Sequence, residues 1–409
     1  MHSVSDPSRV RFTGPLEPLA AGLVAELAVL GFASTSAADQ LRLAAHLSRW
    51  LQARGLTVGE LTGPVIEAFL VDRRRDYSSG YSTRALRVLL AYLRRVGAAP
   101  AAEDSSVRSS GAGEIVLATF RRYLLVERGV SVAVADSYVR WVRPFVRAVE
   151  ATDEGLTFAR LDAAQVSGFL TGHLPGLTRK TAQMTASSLR SFLRFLHATG
   201  SVGLDLAPAV PAFAFWRLSG LPEPLTSAQV QALVGACDPS RPVGRRDLAV
   251  IGCLLRLGLR CGEVAGLRLE DLDWASGTVT VHGKGNRIDL LPLPVDVGRL
   301  LVGYLRQGRP TTSERTVFVT AVAPFTALAR SGVSCIVARA ARRAGLGTIH
   351  AHRLRHTAAS ATLNAGATLE QVAQLLRHAS PATTAVYAKT DLTRLAGLAR
   401  PWPSEKARS

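Results

Sequence analysis

The tripeptide Gly55-Leu56-Thr57 returns one hundred residues later as Gly155-Leu156-Thr157, and the match continues from there. Leu61 recurs as Leu161, and Phe69-Leu70 as Phe169-Leu170. After a three-residue insertion, Leu86-Arg87, Leu90, Leu93 and Gly97 recur as Leu189-Arg190, Leu193, Leu196 and Gly200. The matched apolar positions keep helical spacing, and each closing glycine falls where a helix C-cap belongs. A unit used twice has to bury its own apolar face, so the pattern predicts two small helical bundles related by duplication.

Two breaks divide the rest. Residues 98–113, AAPAAEDSSVRSSGAG, have the composition of a flexible linker. Residues 206–224 carry Pro208, Pro211, Pro222 and Pro224 and read as a stiffer, extended connector. At 409 residues the chain is too long for one ordinary core. It is expected to hold an additional bundle at 15–97, a second bundle at 114–205 and a larger domain at 225–400. In the last, Thr226 and Gln229 stand in capping-box positions before a helix. An apolar helix then runs toward Arg260, and TVTVHGKGNRIDLLPL alternates as a β-hairpin around a Gly-Lys-Gly-Asn turn. After 317–320 the pattern is helical again as far as Ala388. The expected fold class is mainly α and multidomain: helical bundles followed by a mixed domain with a small antiparallel sheet.

The formal net charge of +18 and a pI near 10.9 call for a polyanionic partner, most simply nucleic acid. In the second bundle, Arg179, Lys180, Arg190 and Arg194 surround the last helix with Phe192, Phe195 and Leu196 interleaved. Helical spacing lets the apolar set face the core and the basic set face a phosphate backbone or simply solvent. Cys237, Cys253, Cys261 and Cys335 show no zinc or disulfide spacing, which fits a reducing cytosol. No apolar run approaches bilayer length, so no membrane partner is expected.

Residues 350–356 read HAHRLRH, three histidines and two arginines without an acid. In a helix, His352, Arg355 and His356 share one face. A His-x-x-x-His zinc site would want Glu after the first His, but Arg353 stands there and Arg355 adds repulsion. The same charges suit an anion, since guanidinium forks match pairs of phosphate oxygens. Three other stretches join this box. GLRCGEVAGL places Arg260 ahead of Glu263, HGKGN places Lys284 at a hairpin tip, and LLRHASPATTAVYAKT sets His378 nine residues before Tyr387. Taken singly, each of these also reads as an ordinary surface or core feature.

Their order and spacing resemble the active site of the tyrosine recombinase (phage integrase) family, which includes the Xer recombinases. The resemblance covers about 225–400, and covers 114–205 more loosely as the family's helical, SAM-like core-binding domain. It implies a site-specific recombinase that cuts double-stranded DNA through a covalent 3′-phosphotyrosyl link, with no metal and no cofactor. Tyr387 would be the nucleophile, Arg260 and Arg355 would clamp the non-bridging oxygens, and Lys284 would be the general acid. His352 would assist proton movement, His378 would bond the scissile phosphate, Glu263 would orient and His356 would support the box. The family works as a tetramer on two duplexes, so a homotetramer or a mixed tetramer is implied, with residues 391–400 as a segment exchanged between neighbours. A bacterial cytoplasmic, nucleoid-associated location follows, with integration, excision or transposition of a mobile element as the biological role. Two positions depart from the family: Arg377 stands where glycine is frequent, and Ala358-Ala359 where a bulky residue is.

Two rivals carry different expectations. A silent DNA-binding accessory protein would have lost one of the six catalytic groups, and all six are present. A type IB topoisomerase would relax DNA without exchanging strands. The bundle at 15–97 lies outside the two-domain plan. Arg73, Arg74, Arg75, Arg84, Arg87, Arg94 and Arg95 suit a second DNA grip, while a protein–protein role in assembling the synaptic complex is the alternative.

Overall fold

The computed structural model describes residues 7–77, 82–101, 111–152, 158–212, 224–283 and 287–377. Packing divides the chain into two units. One comprises Met1–Val58, Ile66–Arg95 and Leu218–Ser409; the other comprises Gly59–Val65 and Val96–Arg217.

The two N-terminal bundles repeat one element order. The first has α1 (Ala20–Val29), α2 (Ser34–Ala53), a 3-10 turn at Val58–Glu60, α3 (Gly63–Asp76) and α4 (Thr83–Arg95). The second has α5 (Ala112–Val126), α6 (Val132–Thr152), a 3-10 turn at Phe158–Arg160, α7 (Ala163–His173) and α8 (Arg179–Ala198). Val58 and Phe158 open the two turns, and both are buried. Gly97 and Gly200 take φ of +72° and +71°, the left-handed closure that glycine makes without a Cβ penalty. At Gly200 the closure is complete, its N–H donating to His197 O at 3.0 Å and that of Ser201 to Leu196 O at 2.8 Å.

The second bundle has a phenylalanine core. Phe120, Phe145, Phe158, Phe192 and Phe195 are buried, with edge-to-face centroid distances of 5.1 Å for Phe120–Phe192 and 5.8 Å for Phe158–Phe192. Residues 206–210, read as the start of an extended connector, do something else. Ala207–Ala209 form a 3-10 turn, and Leu206, Ala207 and Val210 bury in this core. Burying three apolar side chains outweighs the proline preference for an open strand.

The C-terminal domain is built around α10 (Pro242–Arg256), preceded by α9 (Ser227–Gly235). The Thr226–Gln229 capping box forms in both directions, at 3.2 and 3.1 Å. Leu248, Val250, Ile251 and Leu254 of α10 are all buried. α10 packs on α12 (Val295–Gln307), α13 (Arg330–Arg343) and α14 (Ala351–Asn364). The sheet runs β1 (Leu272–Asp273), β2 (Thr278–His282) and β3 (Ile288–Pro292), antiparallel throughout. Val279 and Val281 alternate inward as the hairpin pattern requires. The hairpin tip at 284–286 lies outside the described residues.

The apolar run beginning in α10 does not stay helical to Arg260, as the sequence reading expected. It stops at Arg256; Gly258 takes φ +57°, and Arg260 becomes the N-cap of a separate short helix, α11 (Cys261–Gly266). A left-handed residue cannot continue a right-handed helix, which is the reason for the break. α14 is followed by α15 (Leu369–Leu376), capped by Thr368 and Gln371. The helical reading from 378 to 388 falls outside the described residues.

Candidate active site

Three segments distant in sequence converge at the Gly258 turn. The first is the turn itself with α11. Arg260 N–H donates to Glu263 Oε2 at 2.8 Å, and Arg260 Nη1 donates to Glu263 Oε1 at 2.6 Å. The Arg260 side chain stays 41% exposed, while that of Glu263 is only 5% exposed. A buried carboxylate thus fixes a guanidinium that still faces solvent.

The second segment is the first turn of α14. His352 and His356 sit one helical turn apart with ring centroids 4.3 Å from each other, as their spacing predicts. Arg355, from the same turn of the helix, is buried. It is 2% exposed and donates through Nη1 to Gly258 O and through Nη2 to Leu376 O. The box therefore divides into half-exposed imidazoles and an inner arginine that ties the turn to the end of α15. Ala358 and Ala359, the small residues that replace bulkier ones, are buried beneath it. Their size leaves room for the turn, since a Cβ on Gly258 would lie 3.8 Å from Ala358 Cβ.

The third segment is the end of α15, where Arg377 was noted in the sequence only as a departure. It is buried, takes φ +52° and ψ +48°, and donates through Nη2 to Glu263 Oε2 at 2.7 Å. It also reaches Gly258 O at 3.4 Å and Leu375 O at 2.9 Å. The left-handed backbone explains why glycine suits this position, and the Glu263 contact explains how arginine holds it.

Burial alone would push the Glu263 carboxyl up. The Arg260 backbone N–H, the charge of Arg377 and the Arg260 side chain outweigh it and hold the carboxyl below its usual range. The site so described is an arginine cluster with one internal acid, suited to a di-oxygen anion at its exposed edge. Lys284, His378 and Tyr387 lie outside the described residues.

The four basic residues singled out in the second bundle have different settings. Arg179 and Lys180 are exposed on the first turn of α8, and Arg194 is exposed farther along it. Arg190 is half-buried and donates to the carbonyls of Val210 at 3.3 Å and Pro211 at 3.0 Å, so part of its role is to hold the segment leaving the bundle.

Comparison with known proteins gives the class. The Phage integrase family matches residues 223–394, and the family's N-terminal SAM-like domain matches 117–200. A protein of Sinorhizobium fredii described as an integrase/recombinase, y4rA, is 37% identical over 379 residues, covering 92% of this chain and 91% of its own length. The tyrosine recombinase XerD of Listeria monocytogenes is 31% identical over 281 residues, covering 68% of this chain and 93% of its own. Among solved structures, XerH recombinase on its palindromic difH substrate shares the fold at TM-score 0.54 and 18% identity, over 83% of this chain and 95% of its own. A lambda integrase dimer on a COC′ core site does so at 0.54 and 15%, over 76% and 88%. The chain belongs to the phage integrase family and is an enzyme of the tyrosine recombinase type. No helix among the described residues is long and apolar enough to cross a membrane.

Proposed function

We propose that this enzyme performs site-specific recombination of duplex DNA through a 3′-phosphotyrosyl intermediate, for integration, excision or transposition of a mobile element. The observation that carries the reading is the convergence at Gly258: Arg260 and Arg377 pair with one buried acid, Arg355 and Arg377 both donate to the Gly258 carbonyl, and Arg260 stays exposed. Tyr387 Oη attacks the scissile phosphorus, and the bond to the 5′-oxygen breaks. Lys284 gives that oxygen a proton, while His352 helps remove the tyrosine proton. Arg260 meets the charge growing on the non-bridging oxygens, and His378 bonds the same phosphate. Arg355 joins them by exchanging a backbone carbonyl for a phosphate oxygen. Glu263 orients Arg260, and His356 supports His352. Reversal of the attack by a different 5′-hydroxyl exchanges strands and needs no external energy source.

The XerH and lambda integrase structures are complexes with DNA, the latter including a tetramer on a Holliday junction, and a tetramer on two sites, of this chain alone or mixed with related recombinases, is the assembly we infer. The bundle at 114–205 grips DNA through Arg179, Lys180 and Arg194, joined to the catalytic domain at 225–400.

The test is covalent trapping in EDTA on DNA flanking the protein's own gene. Wild type should leave an SDS-resistant protein–DNA adduct, and Tyr387→Phe should leave none. Arg260→Ala should slow adduct formation by about 100–1000-fold while DNA binding persists. An adduct that survives Tyr387→Phe names another nucleophile. Binding by both proteins with no adduct from either favours a DNA-binding accessory role. Relaxation of a single-site plasmid without exchange between two sites would mark a topoisomerase.

A further inference from the structure

The first bundle carries a basic pocket that the recombination chemistry leaves unused. It opens between α2, the end of α3 and the start of α4, with a volume of about 600 Å³. Arg42, His46, Arg49, Arg73 and Tyr77 line it, together with Asp39. Asp39 is already paired with Arg42 at 2.6 Å. Among the described residues no carboxylate pairs with Arg49 or Arg73; Asp76 acts only as a nearby opposing charge on His46.

Three of the seven arginines that gave this bundle its basic character are paired with carboxylates inside it. Arg74 pairs with Glu67 at 3.2 Å, Arg75 with Asp72 at 3.7 Å and Arg95 with Glu26 at 2.5 Å. Arg73 is different. Its guanidinium lies over the Tyr77 ring at 4.1 Å and donates through Nη1 to His46 Nδ1. The His46 ring is itself wedged between Tyr77, at 4.9 Å, and Phe69, at 5.4 Å. An Nδ1 that accepts leaves the proton on Nε2, and burial with Arg73 and Arg49 nearby holds the ring below its usual pKa, hence neutral. Arg73 Nε is buried with no hydrogen-bond partner among the described residues. A planar, stacked cation with an unused donor suits an oxyanion.

We propose that this pocket holds a backbone phosphate of duplex DNA, with Arg49 and Arg73 supplying the charge and Leu43 and Ala85 the apolar floor for the sugar. The pocket is far larger than an inorganic anion needs, and the chain's +18 charge suits a polymeric partner. This rests on the DNA reading above and extends the enzyme's grip to a bundle outside the two-domain family plan.

The test compares wild type, Arg49→Gln, the Arg49→Gln/Arg73→Gln pair and Arg54→Gln on a long random-sequence duplex. Arg54 belongs to the same bundle but is already paired with Asp72 at 2.6 Å, so it controls for loss of charge alone. Losing one phosphate contact should flatten the slope of log K against log salt by about 0.9 for the pocket variants and leave that of Arg54→Gln near wild type. Phosphate ethylation interference, run on a short defined duplex that wild type binds in one register, guards against misfolding of the double variant. Positions whose ethylation weakens wild type should be silent for Arg49→Gln, an exposed and structurally mild change. Equal slopes and an unchanged ethylation pattern overturn the assignment while leaving the recombinase reading intact. Failure of wild type to bind any duplex overturns both. A saturable thermal shift with inorganic phosphate at constant ionic strength, lost in Arg49→Gln, would reassign the pocket to a small free anion.

Discussion

A side chain at φ +52° costs roughly 1 kcal/mol relative to glycine, and Arg377 tolerates that cost because Glu263 takes its charge. Glycine there would relieve the backbone and leave the acid to Arg260 alone. Leaving a buried charge wholly uncompensated costs about 3–5 kcal/mol, and Arg260 still holds Glu263, so Arg377→Gly should destabilise the domain by about 1–3 kcal/mol in urea unfolding. Combining it with Glu263→Gln should cost less than the sum of the two, because both changes break the same ion pair. Glu263 also sets an acid limit. Its carboxyl is held low in the folded state, so its contribution is complete above the unfolded value near 4.3 and is lost as pH falls through the lower folded value. Glu263→Gln should flatten the dependence of unfolding free energy on pH in that acid window and leave the neutral range unchanged in slope. At this scale the sequence was uneven. Arg260 and Glu263 were legible as a pair three residues apart. Arg355 was read as a phosphate ligand, and its place as the tie between Gly258 and Leu376 was not legible, because carbonyl partners leave no mark in side-chain spacing.

Elements were easier to read than the turns between them. The capping box at Thr226 and the alternation at Val279 and Val281 are local, and local chemistry decided them. β1 was missed because two residues make no period. The break at Gly258 was missed because an apolar helical pattern runs straight through it, and one glycine inside such a pattern does not announce a left-handed turn. That turn is stiffly specified. A Cβ on Gly258 would meet Leu376 Cδ2 at 2.9 Å, on a backbone at φ +57°. Gly258→Ala should cost roughly 1–2 kcal/mol and lower the melting temperature. It should also slow adduct formation, since the carbonyl that Arg355 and Arg377 share would move with the turn.

Across the molecule, burial assigns the four cysteines distinct behaviour. Cys253 is fully enclosed, its thiol pushed up to about 12 by desolvation, and Cys237 is buried and raised in the same direction. Cys335 is exposed and Cys261 half-buried. Thiol labelling should modify Cys335 first and Cys261 next. Cys237 and Cys253 should react only at the rate of unfolding of the C-terminal domain. The copied apolar pattern of the two N-terminal stretches was legible from sequence because it carries its own periodicity, and both stretches show the order long helix, 3-10 turn, helix, helix. The pair at Glu263 and Arg377 was not, since its members stand 114 positions apart and meet only after α13, α14 and α15 have packed.

That distance has a consequence in heredity. An arginine at 377 can arise from glycine only in a lineage whose acid at 263 is already in place, and once there it removes that acid's freedom to change. Descendants should lose the two together or keep both, while lineages that retain glycine at 377 carry no such bond between the positions.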